Sequence, residues 1–240
     1  MSTFVPSTIV CRCGEHYVVE VANGLHISAR PDIRAQILAG TFHRFDCPNC
    51  GTITQIDSLL SYTDFPARHW FTIAPSTALP WRNRYLEIAR QGFESTMERN
   101  APELVIGWGR EMTRRLIFGL AALREKLVIF DAKLDDRVIE LLKIQLIRDL
   151  RDTFSPDDYF HVVEITESEL VFEKTQPDGI IRNAPVPRAL YDDLLREPTL
   201  DAILDHAFPD HLVYDYRAIF APHALDDAPA ITQTPRQGDP

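Results

Sequence analysis

The four cysteines of the chain fall in two close pairs, Cys11-Arg12-Cys13 and Cys47-Pro48-Asn49-Cys50, and paired sulfur ligands are what a tetrahedral metal site requires. In the second pair, two intervening residues let both sulfurs point at one ion; Pro48 stiffens the turn and Gly51 permits a positive φ. The first pair has a single intervening residue and hence a shorter turn, yet side chains two apart on an extended chain still face the same way. His16 is close enough in sequence to replace a thiolate that cannot reach. Three chemistries fit these residues: a zinc ion held by four cysteines, or by three and a histidine; a redox dithiol; and buried free thiols left where a site has decayed. Four protein thiolates leave no open position for water, so zinc here is expected to be structural.

The elements that must position the sulfurs are legible around them. Residues 7–22, "STIVCRCGEHYVVEVA", alternate in polarity and predict two short strands around the first turn, and "FHRFDCPNCGTITQID" repeats that plan around the second. Two cysteine turns flanked by strands predict a zinc-ribbon-like sheet. Between them "RPDIRAQILAG" has Pro31 where a first helical turn tolerates it and Gly40 placed to end the helix.

From Trp81 the periodicity becomes helical. "RYLEIARQGFESTMERN" carries Leu86, Ile88, Ala89, Phe93 and Met97 on roughly one face, and "WGREMTRRLIFGLAALREKLVIFDA" and "LDDRVIELLKIQLIRDL" continue the pattern. The last predicts Val138, Ile139, Leu141, Leu142, Leu146 and Leu150 inward, with Asp135 and Asp136 at the start, where the helix dipole favours acids. Two strands follow, "YFHVVEIT" and "ELVFEK", then a Pro/Gly-rich loop, short helices at "RALYDDLLR" and "TLDAILDHAF", and a last strand at "LVYDYRAI". The fold class is α+β: a ribbon-like module over 1–75, helices over 76–152, an acidic α+β segment over 153–221 and a disordered tail over 222–240. Trp70, Phe71, Trp81 and Tyr85 bracket "TIAPSTALP" and are expected to pack ribbon and helices together, an exposed aromatic patch for a partner being the alternative.

The succession of the cysteine pair, "NGLHIS", "PDIRAQILAGTFHRFDCPNCG" and "SLLSYTDF" resembles the CpXC-domain family of bacterial and archaeal proteins, named for its Cys-Pro-x-Cys motif. "LREKLVIFDAKLDDRVIELLK" resembles the helical region that follows the domain in relatives, so the likeness covers roughly residues 8–150. The resemblance implies zinc, with Cys11, Cys13, Cys47 and Cys50 as its ligands. The first turn lacks the proline of the family pattern, and Thr63 stands in "YTDF" where relatives tend to carry His.

Charge narrows the partner classes. The net charge of −10 is uneven: −1 over residues 1–75, +2 over 76–152 and −11 over 153–240. An extended nucleic acid would be repelled by the last segment, so any such contact is local, and Arg110, Arg114 and Arg115 at helical spacing are its candidates, set against a solvated helix face paired with Glu111. His206, Asp210 and His211 suggest an acid–base pair or second metal, but Pro209 breaks the register that a two-histidine helix needs. Adjacent acids at Asp192-Asp193 and Asp226-Asp227 point apart instead of at one substrate, and no phosphate-binding Gly-rich loop, nucleophile elbow or His-Glu-x-x-His is present. No enzyme chemistry has carrier residues here. Apolar stretches are interrupted by charge short of the ~18 residues that cross a bilayer, and "MSTFVPSTIV" does not read as a signal peptide. The expectation is a soluble cytoplasmic zinc protein that serves as a scaffold or adaptor for a protein partner, with a nucleic-acid-associated ribbon as the first alternative and an enzyme whose site the sequence does not identify as the second.

Overall fold

The computed structural model describes residues 1–99, 101–149, 158–175 and 181–220; the expected disordered tail, Leu150 and the 152/153 boundary lie outside them. The protein is α+β. Its chain divides into two compact units, one ending at Leu120 and the other beginning at Ala121, in place of a change at residue 75 or 76.

In the first unit, β1 (Thr3–Val10) and β2 (His16–His26) form the hairpin around the first cysteine turn, with Val10 opposite His16 and Ile9 opposite Tyr17. α1 (Pro31–Ala39) starts on Pro31 and ends at Gly40. β3 (Arg44–Asp46) and β4 (Ile53–Gln55) pair antiparallel around the second turn. β2 is longer than a ribbon needs. Its far end runs parallel to β5 (Leu60–Asp64), which pairs antiparallel with β6 (His69–Ala74), so the first cysteine hairpin is one edge of a five-stranded sheet. After α2 (Arg82–Met97) and α3 (Glu103–Arg110), the opposite edge is supplied by β7 (Thr113–Phe118), parallel to β6. This strand corrects the expectation of a continuous helix from Trp108, and it is why residues as far as 118 belong to the first unit. Leu116, Ile117 and Phe118 are all buried, so both strand faces are covered there; a short, continuous apolar run has no period that separates strand from helix. Trp70 and Phe71 on β6 and Tyr85 on α2 are buried, as the packing reading has it: Trp70 meets Phe93 of α2 edge-on at 5.5 Å, joined by Met97 and Met112.

Two interactions join the second cysteine hairpin to the first. Ile9, Val21 and Ile56 form one apolar cluster, with Tyr17, Val19 and Phe45 packed against it. His43, in the left-handed region at φ 57, accepts a hydrogen bond from the Ala22 amide on Nε2 at 2.9 Å, while its carbonyl accepts one from the Ile56 amide at 2.9 Å.

The second unit contains α4 (Leu120–Asp131), α5 (Asp136–Asp149), β8 (Tyr159–Ile165), β9 (Glu169–Thr175), β10 (Ile181–Pro187), α6 (Arg188–Leu195), α7 (Leu200–Ala207) and α8 (Arg217–Phe220). Its three strands form an antiparallel sheet in the order β10-β9-β8. Val138, Ile139, Leu141 and Leu142 of α5 are buried against Phe160, Leu170 and Phe172 of the sheet, with Leu146 partly buried beside them. β10 occupies part of the stretch expected as loop. Pro185 and Pro187 suit an edge strand because, two residues apart, both can turn their missing N–H groups to the unpaired side.

Among the described residues of this unit, five charged residues are each at most 3% exposed: Glu125, Lys126, Asp136, Glu140 and Lys143. Lys126 Nζ donates to Glu140 Oε1 and lies 3.0 Å from Asp136 Oδ2, and Lys143 Nζ donates to Glu125 Oε2 at 2.8 Å and to Glu140 Oε1 at 3.1 Å. The same groups hold backbone. Glu125 Oε1 accepts from the Val162 amide at 2.6 Å, Lys126 donates to the Tyr214 carbonyl at 2.8 Å, and Glu140 Oε2 accepts from the Tyr216 amide at 3.0 Å. Residues 212–216 are therefore irregular and α8 follows, which corrects the strand expected at "LVYDYRAI": charged side chains satisfy peptide groups that a neighbouring strand would otherwise pair. Asp136 is likewise a buried partner of Lys126, while Asp135 accepts from the Arg137 amide at 2.9 Å.

Two outcomes follow from these contacts. Glu140→Leu leaves two buried ammonium groups short of an acceptor and the Tyr216 amide unpaired, and is expected to lower stability by about 3–5 kcal/mol in urea unfolding; a loss under about 1 kcal/mol would show that the network does not hold the segment. Burial pushes the His43 pKa from 6.5 down to about 4. Between those values the unfolded state binds more protons than the folded one, so stability rises with pH across pH 4–6.5, by up to about 3 kcal/mol for this group. His43→Gln keeps an acceptor for Ala22 without a titrating ring and is expected to flatten that slope; an unchanged slope would assign it to other groups.

Candidate metal centre

Each cysteine turn is closed by its own backbone. In the first, the Gly14 amide donates to the Cys11 carbonyl at 2.9 Å and the Cys11 amide to the Glu15 carbonyl at 2.8 Å. In the second, the Gly51 amide donates to the Cys47 carbonyl and the Cys47 amide to the Thr52 carbonyl, both at 2.9 Å. Gly14 (φ 90) and Gly51 (φ 72) occupy equivalent places in the two turns, in backbone that side chains with a Cβ rarely adopt. The first turn, one residue shorter, is thus closed across three residues where the second is closed across four, and both end on a glycine at positive φ.

The two turns bring all four sulfurs within 4.8 Å of one another. Cys11 Sγ lies 3.6 Å from Cys50 Sγ, and Cys13 Sγ lies 3.6 Å from Cys47 Sγ. At Zn–S of ~2.3 Å the edge of a sulfur tetrahedron is ~3.8 Å, so the donor set fits a tetrahedral thiophilic ion in type, number and spacing. The thiols are free, two buried (Cys11 and Cys47) and two exposed (Cys13 and Cys50). Among the described residues no histidine or carboxylate joins the group; His16 is exposed and outside it.

Their electrostatics is that of thiols crowded together. At Cys11 the Cys13 amide pulls the pKa down, but burial and the neighbouring thiols prevail and push it up to about 12. Cys50 is pulled down to about 6 by the Thr52 hydroxyl and amide, followed by Cys13 and Cys11. A cation ligated by these sulfurs takes them as thiolates, so its binding displaces the protons that Cys11 holds. Thr52 Oγ1, 3.2 Å from Cys50 Sγ, and Asn49, whose Nδ2 is 3.6 Å from Cys13 Sγ, were not anticipated as neighbours of the sulfurs; their sequence signal is position beside or inside the Cys-Pro-x-Cys turn.

The other candidates do not converge. Arg110 ends α3, whereas Arg114 and Arg115 are successive residues of β7 and point to opposite faces, so the helical arginine face does not exist. Arg114 lies over the Phe93 ring at 4.7 Å, and Glu111 pairs with Arg68. Asp210 accepts from the Leu212 and Val213 amides and shapes a turn; His211, exposed, is 3.7 Å from Asp205. Asp192 faces Arg188 and Asp193 faces Arg196, in agreement with acids that point apart. Asp226 and Asp227 lie outside the described residues. Thr63 is a buried residue of β5 opposite Trp70. Among the described residues no helix is long and apolar enough to cross a membrane.

A family model described as CpXC protein matches residues 9–143, from the first cysteine hairpin to the middle of α5. No curated protein and no solved structure matches the chain. Since the match spans more than half of the 240 residues and contains both halves of the sulfur cluster, the chain belongs to the CpXC family.

Proposed function

We propose that Cys11, Cys13, Cys47 and Cys50 bind one zinc ion as a structural metal, and that the protein serves in the cytoplasm as a non-catalytic scaffold or adaptor for a basic protein partner. The observation that carries the metal reading is the convergence of four thiols from two separate hairpins to within 4.8 Å, with cross-turn contacts close to a tetrahedral edge. With four thiolates on the ion, no position is left for substrate or water, which supports a structural over a catalytic metal. A reducing cytoplasm keeps the thiols available. The partner reading draws on charge: residues 121–221 contain 12 Lys and Arg against 21 Asp and Glu, a net −9, while residues 1–120 sum to +1. An acidic unit of this kind favours a cationic protein surface and repels a phosphate backbone.

Elemental analysis with native mass on protein purified without added zinc is expected to give about one zinc per chain, and Cys13→Ser is expected to lose it. Metal-free wild-type protein with four titratable thiols would overturn the metal reading. On immobilised single- and double-stranded DNA the protein is expected to pass unretained at low salt; retention that falls steeply with salt would replace the adaptor with a nucleic-acid reading.

A further inference from the structure

The four sulfurs are not equivalent. Each exposed sulfur touches a buried sulfur of the other turn: Cys50 is 3.6 Å from Cys11, and Cys13 is 3.6 Å from Cys47. The turns themselves are closed by the backbone bonds from Gly14 to Cys11 and from Gly51 to Cys47, so the freedom that remains is rotation of the cysteine side chains. A disulfide needs an S–S distance of ~2.05 Å, roughly 1.5 Å less than these contacts, a change that side-chain rotation can supply without opening either turn. Exposure puts Cys13 and Cys50 in the path of a dissolved oxidant, and the thiols that would resolve the oxidised sulfurs stand behind them, out of solvent.

We infer that the cluster is an oxidation site at which a hydroperoxide converts the four thiols into two disulfides across the turns, Cys11–Cys50 and Cys13–Cys47, discharging the metal. The discharge rests on the zinc reading above; the pairing does not. The chemistry balances with the peroxide as sole oxidant and solvent as the source of protons where the sulfurs are zinc-bound thiolates. The Cys50 sulfur attacks a peroxide oxygen; an S–O bond forms, the O–O bond breaks, and the leaving hydroxide becomes water with a proton from the thiol or, in the zinc-bound form, from solvent. The Cys11 sulfur then attacks the Cys50 sulfur; an S–S bond forms, the S–O bond breaks, and the second hydroxide leaves as water in the same way. A second peroxide does the same at Cys13 and Cys47. Two hydrogen peroxides take up four electrons from the four sulfurs, and the zinc-bound cluster with four solvent protons yields two disulfides, a free zinc ion and four waters. The hairpins that the metal held together are then held by covalent bonds spanning 39 and 34 residues of sequence, so the first unit keeps its fold while the ion is released.

The test uses the full-length zinc-loaded protein titrated with hydrogen peroxide in the presence of a chromogenic zinc chelator, followed by non-reducing peptide mapping. Trypsin cleaves after Arg12 and so separates Cys11 from Cys13, and fragmentation between Cys47 and Cys50 assigns the partner of each. The expected result is full zinc release at about two peroxides per chain by the stoichiometry above, Cys11–Cys50 and Cys13–Cys47 cross-links, and renewed zinc uptake after reduction. Cys50→Ser is expected to retain the Cys13–Cys47 link alone. Links within a turn, the opposite crossing of Cys11 with Cys47, or four thiols still titratable after peroxide would overturn the inference. If the reduced protein carries no zinc, the zinc reading fails by itself, and the cross-link map still decides the pairing.

Discussion

The contact on which the sulfur cluster depends is made away from the sulfurs, where Ile9 and Val21 of the first hairpin pack against Ile56 beyond the second. Each cysteine turn is a local structure that its own residues can form, but neither holds more than half a ligand set. The apolar cluster and the hydrogen bond from Ala22 to His43 carry one hairpin to the other and leave four sulfurs within 4.8 Å. A cluster assembled by packing in this way has its donors in place without an ion, so little ordering of the chain would be left for ligation to accomplish. His43 shows the cost of the arrangement: a non-glycine residue held at positive φ, buried, with its ring confined to the neutral form near neutral pH.

The second unit solves a different problem with a different interaction. A segment that is neither helix nor strand at 212–216 needs partners for its peptide groups in a dry interior, and α4 and α5 supply ionised side chains for that purpose. Burying Glu125, Lys126, Asp136, Glu140 and Lys143 is costly, and it is offset because the lysines share carboxylates and the glutamates also take backbone amides. The charges pair with one register of the segment, the one that presents the Tyr214 carbonyl to Lys126 and the Tyr216 amide to Glu140. The family match ends at Lys143, so its span contains all five of these charged residues and none of the strands β8 to β10, the first of which Glu125 holds through the Val162 amide.

Much of the architecture was legible where local chemistry decides it. The strand-turn-strand form of both cysteine hairpins, α1 between Pro31 and Gly40, β8 and β9, and α6 and α7 follow from alternation, helix-end residues and helical period. The misreadings have one cause. β7 lies in a run whose apolar residues are buried on both faces, β10 contains prolines that an edge position tolerates, and 212–216 has a strand-like pattern but finds its partners in side-chain charges. In each, the deciding partner is remote in sequence.

Read alone, the residues determined the ligand type, the pairing of cysteines into two turns and the α+β class, because these depend on the side chain, on spacing within a few residues and on local period. Only the tertiary structure decided that the four sulfurs meet, which two are buried, that Arg114 and Arg115 diverge, and that the first compact unit runs to residue 120. The physical reason is that burial and convergence belong to contacts between elements. Those are set by the packing of Ile9 against Ile56 and of β7 beside β6, which no local pattern contains.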